Sequence, residues 1–241
     1  CPPAGYPAAL GDLVQEGPDA PVVYTGGLEN HPAIVEAIAQ RRPVWGCVAD
    51  SLRLVRDPRN LARILRDHNL PCPRIVDGSC PPDFRCVRKP LRGAGGHGIA
   101  FADEGSSASA GSYLQEFIVG GPHAAIFVSA GGKVDLVGVT RQLTGEDWLS
   151  AKPFQYCGSI GPIKLPDRTT ETLQQIGQAI ALACGLRGLF GIDFVLRDDT
   201  PWLVEVNPRY TASVEVLEFA LGRSLLDSHV RAFNRQAMIR E

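Results

Sequence analysis

The chain has 241 residues, 44% hydrophobic and 21% charged, an ordinary globular composition with enough apolar residues for a sizeable core and one to three small domains. Its 24 Lys and Arg nearly balance 26 Asp and Glu, for a formal net charge of -2, and the basic residues are scattered. That pattern excludes the footprint of a nucleic-acid binder and leaves room for a small anion held by local positive groups. No run of about 18 apolar residues spans a bilayer and no basic-then-apolar leader opens the chain, so a soluble, cytoplasmic protein without membrane partners is expected. Seven cysteines in irregular spacing argue against a disulfide framework, and Cys72, Cys80 and Cys86 lack the C-x-x-C pairing of a zinc site.

In chain order, residues 1–20 are rich in Pro, Gly and Ala without a period, and are expected to be loop. "PVVYTGG" reads as a strand, "HPAIVEAIAQ" as a helix with Pro32 near its first turn, and "PVWGCV" as a second strand, together one βαβ unit. "YTGGLEN" lacks the G-x-G-x-x-G spacing of a dinucleotide fold, although a glycine-bearing loop after a strand is a reasonable place for substrate. Asp57-Pro58 caps and opens the next helix, with Leu61, Ile64, Leu65 and His68 at helical spacing. The strand "FRCVRKP" follows, then a glycine-dense loop "RGAGGHG", the strand "IAFAD" and a small polar segment over 103–112, expected to be a mobile surface loop. "YLQEFIVGGP" and "AAIFVSAGGKVDLVGVTRQL" supply three more strands with a Gly-Gly turn at 131 and 132. "TTETLQQIGQAIALACG" is the clearest helix, with Thr169 or Thr170 as its cap and Gly185 closing it. Strands mixed with helices and adjacent hairpins indicate an α+β fold.

"LFGIDFVLRDDTP" and "WLVEVNPRY" alternate apolar and polar residues and predict a hairpin. A turn centred on Asp199 sets Asp193 opposite Glu205, and Gly191 opposite Asn207. Residues two apart on a strand share a face, so Glu205, Asn207 and Arg209 point the same way. Facing carboxylates repel by about 0.2–1 kcal/mol on exposed sheets, and more when desolvated. A cation removes that conflict, and carboxylate and amide oxygens suit magnesium, with Arg209 beside it to meet an anion. Taken alone, the stretch fits equally well a solvated polar face whose Arg209 neutralises its own neighbours. Upstream, Lys89 ends a strand, and Gly93, Gly95, Gly96 and Gly98 let backbone N–H groups approach a phosphate closely; the G-K-[ST] ending of a Walker A loop is absent.

In this order the segments from about Asp57 to Glu218 resemble the ATP-grasp superfamily. The most specific part is the Asp193 to Glu205 spacing followed by "EVNPR". The resemblance implies an ATP-grasp fold, two α+β lobes holding ATP, preceded by a partial βαβ region. The expected division is 1–56 for that region, 57–116 for the small lobe and 117–241 for the large lobe with the metal site. It further implies Asp193, Glu205 and Asn207 as ligands of Mg2+, with Mn2+ as the alternative ion, and Arg209 at the γ-phosphate and the acyl-phosphate. Lys89 and the loop through Gly95, Gly96 and Gly98 match the phosphate-binding lysine and its flexible glycine loop. "QEFI", Gln115, Glu116, Phe117 and Ile118, matches the hinge strand that receives adenine, and His123 stands where a ribose contact is common. The chain departs from the family where an early lysine is usual, since Pro58 stands there and leaves Arg56 or Arg59 to replace its charge.

The resemblance implies a ligase that phosphorylates a small carboxylate and lets an amine attack, releasing ADP. Those two small molecules are the expected partners, and a homodimer is left open. Arg141 in "VTRQL" suits a substrate carboxylate by bidentate pairing, or an ordinary surface pair, and the irregular stretch after it is a candidate wall of an acceptor pocket. "VNPRYTAS" is similar to small-molecule ligases of C1-carrier cofactor biosynthesis such as tyramine-glutamate ligase. Two other readings are carried beside this one: an ATP-binding module without catalysis, and a carboxylase or purine-synthesis type of the same fold.

Overall fold

The computed structural model describes residues 5–234. Three short helices open it, α1 (Leu10–Glu16), α2 (Pro32–Ala39) and α3 (Ala49–Val55), followed by α4 (Pro58–Asp67). The two strands expected around α2 shrink to one parallel bridge, Val22 with Val44. Pro21 and Pro43 stand directly before the bridging residues and remove the N–H donors that a longer ladder needs. Helix α1 occupies a segment expected to be loop. It buries no residue fully, and only Leu10 and Val14 pack against the core, so its apolar period is too sparse to read. Helix α3 was not expected either, although Leu52 and Val55, both fully buried, lie three apart on its inner face. The cap of α4 is as read: the Asp57 carboxylate accepts from the Arg59 N–H at 2.9 Å.

Two antiparallel sheets follow. The smaller contains β1 (Ile75–Val76), β2 (Cys86–Pro90), β3 (Ala100–Ala102) and β4 (Ser112–Glu116) in the order β1-β4-β2-β3. The larger contains β5 (Gly121–Ala130), β6 (Lys133–Thr144), β7 (Tyr156–Ile160), β8 (Gly188–Arg197) and β9 (Thr200–Asn207) in the order β7-β6-β5-β8-β9. Helix α5 (Asp167–Cys184) covers one face of the larger sheet, and α6 (Ala212–Leu221) and α7 (Leu225–Phe233) complete the described chain. The fold is α+β, as expected. Among the described residues no helix is long and apolar enough to cross a membrane.

Helix α5 begins three or four residues earlier than the threonine caps predict, directly after Pro166. Thr169 lies inside its first turn and donates its hydroxyl to the Asp199 carbonyl at 2.7 Å, pinning the helix to the tip of the β8–β9 hairpin. Gly185 closes the helix in the left-handed region at φ 64°, as its sequence position predicts. The main core joins α3, α4 and α5 to the larger sheet through residues such as Leu52, Leu65, Ile176, Ile180, Phe127 and Phe190. Helix α4 packs against α5 and also reaches β1 of the smaller sheet, and its Leu61, Ile64 and Leu65 join the main core.

Candidate active site

The β8–β9 hairpin turns on two residues, Asp198 and Asp199, both at positive φ (49° and 58°), with Arg197 paired to Thr200. A two-residue turn is one residue shorter than a turn centred on Asp199, and an unbroken ladder from it would set Asp193 against Val204. A bulge between Asp193 and Phe194 restores the register, so Phe194 pairs with Leu203 and Asp193 pairs with Glu205, and Gly191 with Asn207. The extra residue, Val204, presents its carbonyl to Lys89 Nζ at 2.8 Å, and Lys89 also donates to Gln115 Oε1 at 3.3 Å. The irregularity that sets the two carboxylates face to face thus also seats the buried lysine.

Each charged group is held in place. Asp193 accepts from Asn207 Nδ2 and from Gln142 Nε2, both at 2.9 Å. Burial and then the facing Glu205 push its carboxyl up to about 7, against those two hydrogen bonds. Glu205 Oε1 meets Arg56 Nη1 at 2.6 Å, and Arg56 reaches Asn30 Oδ1 at 3.0 Å. Arg209 donates from Nε to Glu29 Oε1 at 2.6 Å and from Nη2 to Asn207 Oδ1 at 3.3 Å. Of the two arginines considered as replacements for the missing lysine, Arg56 reaches the hairpin, while Arg59 is exposed and pairs with Asp77 at 2.6 Å.

These groups line a cleft of about 630 Å³ between the two sheets. Lys89, Gly95, Gly96, Gln115, Glu116, Phe117, Ile118, Asp193, Glu205, Asn207 and Arg209 all border it. Gly98, at φ 77°, shapes the loop without bordering the cleft. Gly96 is required by close approach: at φ 77°, a Cβ there would sit 1.8 Å from the Phe154 carbonyl oxygen. The loop is further tied by the Tyr156 N–H to the Gly95 carbonyl at 3.1 Å. One end of the cleft is aromatic, with Phe101 4.9 Å from Phe117 and 5.1 Å from Phe154 between ring centroids, and Arg85 over Phe101. That apolar end suits a planar base, and the opposite end, with its cations and acids, suits phosphates.

Two expected residues lie elsewhere. His123 pairs across the strands with Phe194 and Arg141, so its ring stacks on Phe194 at 5.4 Å on the sheet face opposite the cleft, and its Nδ1 meets the Gly121 carbonyl. Arg141 shares that face and borders no part of the cleft. Alternation along a strand decides both cases: Pro122 and Gln142, their immediate neighbours, are the residues that border it. Sequence reasoning missed Gln142 and Glu29. Only Gln142 had a signal, its place beside Arg141 on a strand already considered for substrate contact. The stretch expected to wall an acceptor pocket instead contributes Pro153, Phe154 and Tyr156 to this same cleft.

Among the described residues no three His, Cys, Asp or Glu side chains cluster as a metal centre. The oxygen donors present are two carboxylates and one amide, a set that fits a hard ion completing its shell from phosphate and water. Removing the Asp193–Glu205 repulsion gives such an ion a physical reason to bind.

Comparison with known proteins agrees with this geometry. A family model described as an ATP-grasp domain matches residues 55–213, more than half of the chain. The formate-dependent phosphoribosylglycinamide formyltransferase of Methylococcus capsulatus is 24% identical over 181 residues, 67% of this chain and 44% of that protein. The biotin carboxylase domain of Hydrogenobacter thermophilus 2-oxoglutarate carboxylase, solved with MgADP, ADP and bicarbonate, superposes with a TM-score of 0.72 at 17% identity, covering 93% of this chain and 56% of that one. The L-amino acid ligase of Bacillus licheniformis gives a TM-score of 0.64 at 20% identity, over 87% of this chain and 55% of that one. At these identities the structural likeness carries the fold, and the chain spans only about half of each of these proteins.

Proposed function

The chain belongs to the ATP-grasp family, and from that premise we propose that it is a magnesium-dependent ligase that phosphorylates a small carboxylate with ATP and joins it to an amine, releasing ADP and phosphate. One observation carries the reading: Lys89 from the smaller sheet and Asp193, Glu205, Asn207 and Arg209 from the larger converge on one cleft whose other end is aromatic. Phosphoryl transfer asks the protein for little beyond positioning and charge stabilisation. Lys89, buried and pre-oriented by the Val204 carbonyl, would hold a phosphate oxygen at no further ordering cost. Asp193, Glu205 and Asn207 would hold the magnesium, which when bound neutralises the phosphates and supplies Lewis acidity. Arg209, fixed on both sides by Glu29 and Asn207, would meet charge building on the transferred group. The glycine loop, pressed on the Phe154 segment, would exclude water from the activated acyl group.

A narrower assignment to ligases of C1-carrier cofactor biosynthesis draws on "VNPRYTAS", whose Thr211, Ala212 and Ser213 border the cleft and keep that wall small. The test is ADP release from Mg-ATP over a panel of amino acids and amines, with bicarbonate and formate included and Glu205→Ala run beside it. The expected outcome is turnover with one carboxylate and amine pair, reduced by about 10²- to 10³-fold in the variant. Turnover driven by bicarbonate or formate without an amine reassigns the chemistry to a carboxylating or formylating relative. Mg-ATP binding without turnover on any pair leaves a binding module.

A further inference from the structure

Arg56 stands at the corner where α3 ends and α4 begins, directly before the Asp57 cap. Leu52, Val55 and Leu61 on either side of it are buried in the main core, so the root of its side chain is fixed relative to the larger sheet. From there the guanidinium reaches three separate parts of the chain. Its Nη1 donates to Glu205 Oε1 at 2.6 Å and to the Val206 carbonyl at 3.3 Å, both on β9. Its Nη2 donates to Asn30 Oδ1 at 3.0 Å and to the Gly93 carbonyl at 3.3 Å, where the glycine loop begins. Asn30 Nδ2 donates to the same Gly93 carbonyl at 3.5 Å.

Counting donors decides what this side chain can do. A guanidinium carries five N–H groups, and the four on its Nη atoms are all engaged, while the fifth, on Nε, is buried without a partner. None is left for a phosphate, and Arg56 does not border the nucleotide-sized cleft. It therefore does not supply the direct phosphate contact of the missing lysine. Glu205 does border that cleft, and with Oε1 held from behind by Arg56, its Oε2 has no hydrogen-bond partner among the described residues. An ion pair alone needs one partner, whereas here a single fork joins a carboxylate at the phosphate end of the cleft to the first glycine of the loop.

We propose that Arg56 is a positioning residue that couples the metal ligand Glu205 to the glycine loop. It fixes one oxygen of the Glu205 carboxylate, leaves the other for magnesium, and through Gly93 ties the start of the loop to that same carboxylate. Metal binding and loop closure are then set by one side chain. The proposal rests on the ligase reading for its metal and nucleotide. Hydrogen bonds that orient a ligating carboxylate from outside the metal's own shell are worth about 10- to 100-fold in metal affinity. A lysine at this position keeps the charge but lacks the planar fork, so its ammonium cannot hold β9, Asn30 and Gly93 together.

The experiment compares the unmodified protein with Arg56→Gln, Arg56→Lys and Asn30→Ala, the last of which keeps Arg56 but removes its brace and so serves if the Arg56 variants do not fold. Three readouts are taken: amide exchange over residues 93–98 without ligands, ADP affinity by calorimetry without metal, and Mn2+ affinity in the presence of ADP by electron paramagnetic resonance. Both Arg56 variants are expected to exchange faster over 93–98 and to lose about 10- to 100-fold in Mn2+ affinity, while metal-free ADP affinity falls by about threefold at most. Asn30→Ala is expected to move the same two readouts in the same direction by a smaller factor. Loop exchange or Mn2+ affinity that ignores Arg56 and Asn30 overturns the proposal, and so does full recovery of both by Arg56→Lys, which leaves only charge neutralisation. Equal losses of metal-free ADP and Mn2+ affinity also overturn it, as the mark of a merely structural ion pair. An unmodified protein that binds no ADP with or without Mn2+ overturns the ligase reading, and this proposal with it.

Discussion

The two sheets that form the cleft are built on unlike foundations. The larger sheet rests on α5, α3 and α4, and its core includes Phe127, Phe190, Phe194, Ile176 and Ile180, all 1% exposed or less. The smaller sheet has a core of three fully buried residues, Cys80, Cys86 and Leu114, with Val76, Phe84 and Ala102 partly buried around them. The carboxylates and Arg209 sit on the first platform, and Lys89 with its glycine loop on the second. The wall with the larger core is expected to hold its charges rigidly, and the wall with the smaller core to be the one that moves when a nucleotide enters. Burial per residue, more than strand count, separates the rigid wall from the movable one.

The largest test of that contrast is a pair of core truncations. Phe190→Ala is expected to cost about 3–5 kcal/mol in a single global transition, and Leu114→Ala to cost less globally while amide exchange rises throughout β2 and β4. Denaturant titration with hydrogen exchange separates the two, and equal, global losses would mean that the sheets form one cooperative unit. A second test compares two loop glycines at similar φ, Gly96 at 77° with the Phe154 carbonyl in its way, and Gly105 at 75° with nothing within 4 Å. Alanine at either carries about 1–2 kcal/mol of backbone strain, but only Gly96→Ala is expected to force the loop off the Phe154 segment and weaken Mg-ATP binding roughly tenfold. Equal nucleotide affinities in the two variants would remove the loop contact from the closing mechanism.

The smallest effect concerns the rigid side. His229 accepts from the Leu189 N–H at Nδ1 and donates from Nε2 to the Trp45 carbonyl, each at 2.9 Å, so it joins β8 to the N-terminal unit as a neutral ring. Burial lowers its pKa below the ordinary histidine value, with the bond to Trp45 pulling the other way. The folded state therefore binds this proton less readily than the unfolded chain. Its contribution to stability is complete above the unfolded pKa of about 6.5 and is lost as the pH falls toward the lowered folded value. Unfolding midpoints measured from about pH 7 down to about pH 5 should fall more steeply for the native protein than for His229→Gln. Equal slopes would show that the ring does not couple to folding.

Much of the site was legible because it is local. "EVNPR" on an alternating strand places Glu205, Asn207 and Arg209 on one face whatever the rest of the chain does; Lys89 and the glycine loop were read as donors for an anion, and "QEFI" came from the family resemblance. His123 and Arg141 were misplaced for a related reason: their strands were identified, but not which face of each strand met the cleft. A one-residue difference in parity moves a side chain to the other side of the sheet, and Gln142 and Pro122 took those places. The Asp193–Glu205 pairing was reached through a turn of the wrong length, with the bulge at Val204 supplying the missing residue.

What the sequence determined by itself was everything carried by short-range periodicity: helix α4 with its Asp57 cap, α5 with its Gly185 stop, the long strands, and the chemistry strung along β9. What the tertiary structure decided was every partnership across a long chain distance. Glu29 meets Arg209 across 180 residues and Arg56 meets Glu205 across 149. No local pattern encodes such pairs, because each is fixed by how the N-terminal helices dock on the larger sheet, and docking is the collective result of apolar burial that no single segment specifies.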